Sequence, residues 1–127
     1  MKSKIFIIAS IVSIIGLGCE YEKMAPDEVL SDKIIVSFNK DVTPIFEKSC
    51  NSSSCHGAGG NYPDLSTGNA YTVLLGSDLI DTTNASNSEL YKRMTGESKP
   101  IMPTTGLLSK KETSIIFNWI KQGAQNN

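Results

Sequence analysis

The sequence is poor in the residues that most metal sites and catalytic pairs require. It has one histidine, His56, and three cysteines in 127 residues, and aromatic residues make up 7%. No stretch alternates apolar and polar residues for long enough to mark a β-strand, so we predict an all-α fold. The net charge of −1 gives no reason to expect a nucleic-acid partner.

The sequence also lacks an apolar run long enough to span a membrane. Residues 5–17 follow Lys2 and Lys4, but a run of about 13 residues is short of the roughly 20 that a spanning helix needs. The pattern is typical of a secretory signal peptide. Residues 16–19 resemble a bacterial lipobox, so we expect cleavage after residue 18, a lipid on Cys19, and a mature protein anchored in the periplasm or cell envelope.

Residues 19–38 are expected to form a flexible tether. They are rich in acidic residues and contain few large apolar side chains, a composition that cannot bury enough surface to fold alone. The apolar residues at the end of the tether are expected to pack on the domain edge: Ile34, Ile35, Val36 and Phe38. Residues 39–127 are then one small domain, and we expect a monomer.

Four helices are predicted in the domain, over residues 39–48, 69–75 and 88–95 and from Ser109 to Gly123. In the first, Asp41 is a candidate cap and Pro44 lies in the first turn. The last begins with a capping box formed by Ser109 and Glu112, and its apolar residues recur at helical spacing. Residues 76–87 are predicted to form a surface loop, and residues 96–103 to be irregular.

The only histidine directly follows a cysteine. If Cys19 carries lipid, Cys50 and Cys55 remain as a pair, and His56 completes the motif Cys-x4-Cys-His. A cysteine followed by histidine ends the C-x-x-C-H signature of covalent haem attachment, in which the thiols bind the haem vinyl groups and the imidazole binds iron. The spacing here is two residues longer. We expect the extra residues, within 51–54, to bulge outward as a polar turn.

Other interpretations of this motif explain fewer residues. Structural zinc needs four ligands, and no further cysteine or histidine follows the tether. A catalytic cysteine would lack a base placed across a cleft. A disulfide between Cys50 and Cys55 suits an oxidising compartment, but it leaves His56 and the glycine-rich residues 57–60 without a role.

A haem iron held by His56 would take its sixth ligand from a methionine, since no second histidine exists. Met94 lies in a predicted helix, where methionine is more often part of the core. Met102 lies between prolines on a non-helical loop and is the favoured ligand. The second imidazole nitrogen needs an acceptor, and a carbonyl near Tyr62 and Pro63 is well placed in sequence.

Residues 39–124 resemble a small class I monohaem cytochrome c domain, as found on bacterial lipoproteins. The matching pieces are the first helix with Phe46, Cys55-His56, Tyr62-Pro63-Asp64-Leu65, Ile101-Met102-Pro103, and the last helix with Trp119-Ile120 and Gly123-Ala124. The resemblance implies that the two terminal helices cross near Phe46 and Trp119, with His56 proximal and Met102 distal. Longer cysteine spacers occur in this family.

The sequence therefore predicts a covalently attached haem c and an electron carrier, not an enzyme, that passes single electrons between redox partner proteins. Two alternatives stay open. One is a haem module that binds a small ligand or peroxide when Met102 is displaced. The other is a haem-free envelope lipoprotein stapled by a disulfide.

Overall fold

The computed structural model of the protein describes residues 34–127, and every regular element in that range is a helix. The elements are a π-helical turn Phe38–Val42, α1 Thr43–Ser49, α2 Ala70–Leu75, a 3-10 helix Ala85–Asn87, α3 Glu89–Thr95 and α4 Lys110–Lys121. The all-α prediction is confirmed for this range. None of these helices is long and apolar enough to cross a membrane. The predicted signal peptide, Cys19 and most of the tether lie outside the described residues.

The helix predicted over residues 39–48 consists of the π-helical turn from Phe38 followed by α1 from Thr43, and its cap differs from the predicted one. Ser37 is the N-cap, because its hydroxyl accepts the Lys40 N–H at 3.2 Å. The Asp41 carboxylate in turn accepts the Ser37 N–H at 2.8 Å. The prediction that Asp41 caps this helix is wrong, because the π-helical turn places it inside the first turn. Pro44 does lie at the start of α1, where its missing N–H costs no hydrogen bond.

Two residues at the end of the predicted tether belong to the core. Val36 and Phe38 are each 4% exposed. The Phe38 ring lies 5.0 Å from Trp119, 5.3 Å from Tyr71 and 6.3 Å from Phe46, measured between ring centroids. The resemblance implied a crossing of the terminal helices near Phe46 and Trp119. In the structure Phe38, from the turn before α1, contacts both of those rings.

Residues 34–38, which lead into the first helix, are held by side-chain amides from the other end of the domain. The Gln122 Oε1 atom accepts the Val36 N–H at 2.9 Å, and Gln122 Nε2 donates to the Ile34 carbonyl at 2.8 Å. The Asn127 Oδ1 atom accepts the Phe38 N–H at 2.8 Å. An amide side chain both donates and accepts, so these two residues pair with the chain much as a neighbouring strand would.

The last helix forms as predicted at both ends. Both hydrogen bonds of the Ser109 and Glu112 capping box are present. Gly123 ends the helix with φ of 90°, and its N–H donates to the Ile120 carbonyl at 2.9 Å. The buried face of α4 includes three large apolar residues with no exposed surface: Ile116, Trp119 and Ile120.

The predicted surface loop over residues 76–87 is partly buried. Ala85 belongs to the core and opens a short 3-10 helix, and Leu79 packs against the core. The buried Ser88 hydroxyl accepts the Asp81 N–H at 2.9 Å, which folds the loop back onto α3. The prediction of a surface loop is wrong for Leu79 and Ala85, because isolated apolar residues carry no periodic signal.

An ion pair joins the end of α1 to the beginning of α4. Lys48 Nζ lies 2.8 Å from Glu112 Oε1. The hydrogen bond from Lys48, followed by those from Ser109, lowers the pKa of Glu112 to about 2. Glu112 therefore caps α4 and tethers α1 as a carboxylate.

Replacing Glu112 with Gln is expected to lower the free energy of unfolding at neutral pH by about 1 kcal/mol, because the variant loses the ion pair and part of the capping box. The folded-state pKa is depressed from 4.5 to about 2, so this contribution is present above pH 4.5 and disappears as the pH falls to about 2. Denaturant unfolding at both ends of that range measures it, with exposed Glu97→Gln as control. An equal deficit at both ends would contradict the assignment.

Candidate functional site

One cavity of about 610 Å³ brings the predicted site residues together. Cys50, Cys55, His56 and Met102 all line it, although they come from two loops more than 40 residues apart in sequence. Its volume lies within the range of roughly 300 to 1,000 Å³ that is usual for sites of small molecules and cofactors.

The cavity wall combines an apolar surface with charges that are already partnered. The apolar lining includes Pro63, Leu65, Leu79, Leu90, Met94 and Pro103. Among the charged lining residues, Lys48 pairs with Glu112, Arg93 pairs with Glu89, and Glu47 accepts a hydrogen bond from the Thr67 hydroxyl. The cavity therefore suits a large apolar group better than a small free ion.

His56 is held by its backbone on both sides. Cys50 is the C-cap of α1, and its carbonyl accepts the His56 N–H at 3.0 Å. The His56 carbonyl accepts the Leu65 N–H at 2.7 Å, and Leu65 is buried in the core. The loop from Cys50 to Leu65 is thus closed around the histidine.

The imidazole of His56 is fixed in one tautomer. Its Nδ1 atom lies 3.0 Å from the Pro63 carbonyl and 3.2 Å from the Asn61 carbonyl. Carbonyl oxygens only accept hydrogen bonds, so Nδ1 carries the proton. In the neutral ring Nε2 then keeps its lone pair, and it has no hydrogen-bond partner among residues 34–127. The prediction of a carbonyl acceptor near Tyr62 and Pro63 is confirmed.

The residues between the two cysteines form a turn whose backbone supports the motif. The side chains of Ser52 and Ser54 are exposed. The Ser52 carbonyl, however, accepts the N–H groups of Cys55 at 2.9 Å and Gly57 at 3.1 Å. The Ser54 carbonyl accepts the Asn61 side-chain amide at 3.2 Å. The longer spacer is therefore part of the hydrogen-bonded loop and more than an outward bulge.

Gly57 allows this loop to close tightly. A Cβ atom at this position would lie 2.4 Å from the Asn51 carbonyl oxygen. A Cβ atom on Gly60 would lie 2.5 Å from the Cys55 carbonyl oxygen. Both contacts are with backbone atoms, which cannot rotate away. Glycine at these positions is thus required by close backbone approach.

The two cysteines are free thiols in different environments. Cys55 is exposed, whereas Cys50 is half-buried and packs on the core. Burial raises the pKa of Cys50 to about 11, with smaller contributions from Cys55 and Glu112. In the metal-free protein Cys50 is a protonated thiol at neutral pH, which disfavours a role as a nucleophile. A thioether sulfur never ionises and suits this position.

Within residues 34–127, no group of three or more His, Cys, Asp or Glu side chains is arranged to hold a metal ion. A haem iron takes at most two ligands from the protein, and methionine is not one of these residue types. The finding therefore bears on the zinc interpretation and leaves the haem prediction untested.

Two methionines line the cavity. Met102 is half-buried on the irregular segment after α3, and its N–H donates to the Arg93 carbonyl at 3.0 Å. Met94 is in α3 and 3% exposed, which confirms the prediction that it belongs to the core. Because Met94 also lines the cavity, its helical position alone does not exclude it as a ligand.

Several residues of the site have no signal in the sequence. Leu79, Glu89 and Leu90 line the cavity, but they lie in a loop and a short helix with no motif. Two polar residues outside the predicted motif, Tyr62 and Arg93, also line the cavity. Two further tyrosines pack in the core instead: Tyr71 against Phe38 and Trp119, and Tyr91 against Phe117.

No protein-family model matches the chain, and no curated protein or solved structure is significantly similar to it. The resemblance to cytochrome c is therefore carried by the residues alone, and the haem remains a prediction.

Gly57→Ala is expected to destabilise the protein by about 2 kcal/mol or more, because the loop must open to admit the methyl group. Gly59→Ala is the matched control. Gly59 has φ of 75° and open space around it, so only backbone strain of about 1 kcal/mol is expected there. Denaturant unfolding compares the two. A smaller loss for Gly57→Ala would show that the loop is not closed as described.

In protein made without haem, a thiol-alkylating reagent at neutral pH is expected to modify Cys55 first and Cys50 far more slowly. Cys50 should gain reactivity only as the pH approaches its pKa of about 11. Peptide mass spectrometry after timed quenching measures both sites, and the urea-unfolded chain is the control in which the difference should vanish. Equal rates in the folded chain would contradict the burial of Cys50.

Proposed function

We propose that this domain is a monohaem c-type cytochrome that carries single electrons between redox partners of the bacterial cell envelope. The protein would be exported and anchored to a membrane by a lipid on Cys19. In this proposal Cys50 and Cys55 would hold the haem covalently, and His56 and Met102 would bind its iron.

The observation that carries the proposal is the state of His56. Its Nδ1–H is held by the carbonyls of Pro63 and Asn61, so Nε2 is the nitrogen left to bind a metal. Metal-binding histidines commonly donate the other ring N–H to a carbonyl or carboxylate, which fixes the tautomer and orients the ring. The ring lines a cavity shared with both motif cysteines and a methionine thioether.

The residues present fit a haem in three further respects. The wall is largely apolar, as a macrocycle requires, and its charged side chains have ion-pair or hydrogen-bond partners inside the protein. Burial of Cys50 disfavours a charge on its sulfur, which suits a neutral thioether. The backbone of the Cys50 to Leu65 loop is closed by hydrogen bonds, so it can hold both thiols and the imidazole in place.

When bound, the haem would supply a one-electron redox centre, and His–Met ligation raises its potential relative to bis-histidine ligation. The protein's own part is to orient His56, to keep water from the apolar wall and to keep Met102 in the cavity. With His56 and Met102 both bound to it, the iron would have no position open to a substrate, which is why a carrier is proposed and not an enzyme.

One observation favours a second candidate, a haem module that binds a small ligand or peroxide. Met102 is only half-buried and lies outside any helix. Such a segment opens more readily than a helix in the core. Carbon monoxide binding to the reduced protein at neutral pH separates the two functions: a carrier should bind it weakly and slowly, and a ligand-binding module rapidly.

The assignment of the sixth ligand is tested with Met102→Ala and the matched variant Met94→Leu, in protein matured by a host that attaches haem c. The oxidised wild-type protein is expected to show a weak long-wavelength band from sulfur bound to iron. Met102→Ala should lose this band completely and keep its covalent haem, whereas Met94→Leu should retain both. Loss of the band only in Met94→Leu would reassign the ligand, and absence of covalent haem from the wild type would refute the function.

A further inference from the structure

The loop that carries Met102 is attached to α3 by two backbone hydrogen bonds. The Ser98 N–H donates to the Lys92 carbonyl, and the Met102 N–H donates to the Arg93 carbonyl, both at 3.0 Å. These acceptors are carbonyls of the last turn of α3, which lack a backbone partner within the helix, although the Lys92 carbonyl also accepts the Thr95 hydroxyl at 3.3 Å. The end of α3 is therefore the platform on which the loop rests.

Two side chains of α3 add a second layer of contacts to the same loop. Glu89 Oε1 accepts hydrogen bonds from Arg93 Nε at 2.5 Å and from the Ser98 hydroxyl at 2.8 Å. Arg93 Nη1 donates to the Pro100 carbonyl at 3.3 Å. One carboxylate and one guanidinium thus reach the loop at residues 98 and 100, just before Met102.

We propose that Glu89 and Arg93 are positioning residues that keep Met102 in the cavity and so determine how firmly its sulfur stays on the haem iron. This inference rests on the proposed function. It assigns a role to an ion pair that would otherwise be an ordinary contact between neighbouring turns of a helix.

The proposal follows from what else holds the loop. The segment between α3 and α4 contains no regular element, no residue from Glu97 to Ser109 is buried in the core, and Leu108 alone among them packs against it. Local opening is favoured where few apolar contacts oppose it. Hydrogen bonds that involve a charged group are stronger than neutral ones. The hydrogen bonds that Glu89 and Arg93 make therefore contribute a large share of the free energy that opposes opening of this loop.

The contacts of the pair with the loop also separate it from an isolated surface ion pair. Exposed pairs at i and i+4 contribute little to stability. The side chains of Glu89 and Arg93 are 34% and 31% exposed, and both residues line the cavity. Their loss should accordingly change the loop and the cavity much more than the overall stability.

The test uses the full-length holoprotein with Arg93→Gln, Glu89→Ala and the conservative Glu89→Gln. Lys99→Gln and Glu97→Gln are matched controls, since both remove an exposed charge from the same loop. The first readout is the rate of amide hydrogen exchange in the peptide that contains Met102. This measurement requires no signal from haem. The second is the intensity of the sulfur-to-iron band, together with the rate of carbon monoxide binding to the reduced protein.

In Arg93→Gln and Glu89→Ala we expect about tenfold faster exchange at Met102 and about tenfold faster carbon monoxide binding, with a weaker band and the covalent haem retained. Glu89→Gln should recover part of the effect, because its amide oxygen still accepts hydrogen bonds from Arg93 and Ser98. The two controls should match the wild type. A purely structural role would instead shift the unfolding midpoint and leave both readouts unchanged.

Two results would overturn the proposal, and they can be told apart. If the wild type has covalent haem and the band, but Arg93→Gln and Glu89→Ala leave exchange and ligand binding unchanged, the positioning role is wrong and the proposed function stands. If the wild type has no covalent haem, the proposed function fails and the role at the iron fails with it.

Discussion

The site depends on the hydrogen bond from His56 Nδ1 to the Pro63 carbonyl. A histidine can bind a metal through either ring nitrogen, and only a contact of this kind decides which one is available. The contact exists because the chain turns back through Gly57 and Gly60, so that Pro63 lies beside the ring while Leu65 anchors the segment in the core. Without this closure, Cys50, Cys55 and His56 would be close in sequence, but nothing would hold all three side chains at one cavity.

The helical core supplies the second half of the site from a distant part of the chain. The loop after α3 brings Met102 to the same cavity as the motif, and the end of α3 holds that loop through main-chain and side-chain contacts. The two loops of the site differ in how they are held in place. The histidine loop is closed on itself, while the methionine loop is supported from one side. In the proposed haem protein, ligand exchange would therefore begin at Met102.

The parts of the fold that could be predicted from sequence are those with local signals. Ser109 and Glu112 mark the start of α4, and Gly123 marks its end, because caps act through hydrogen bonds within one turn. Pro44 likewise lies in the first turn of α1, as predicted. The acceptor for His56 was predictable too, since it lies only seven residues away in sequence.

The parts that could not be predicted depend on tertiary contacts. Phe38 looked like the end of a tether, and nothing local reveals that three aromatic rings surround it. Leu79 is a single apolar residue in a polar loop, and its place in the cavity wall is set by the packing of α3. The contact of Arg93 with Pro100 depends likewise on how the loop folds back, which no periodicity encodes.

The most direct test of the central claim is the intact mass of the mature protein, purified from a host that can attach haem c. We expect the mass of the lipidated polypeptide plus one haem, with the haem retained after acid extraction and lost when both Cys50 and Cys55 are replaced with Ser. A mass equal to the lipidated polypeptide alone, or lower by the two hydrogens of a Cys50–Cys55 disulfide, would contradict the account.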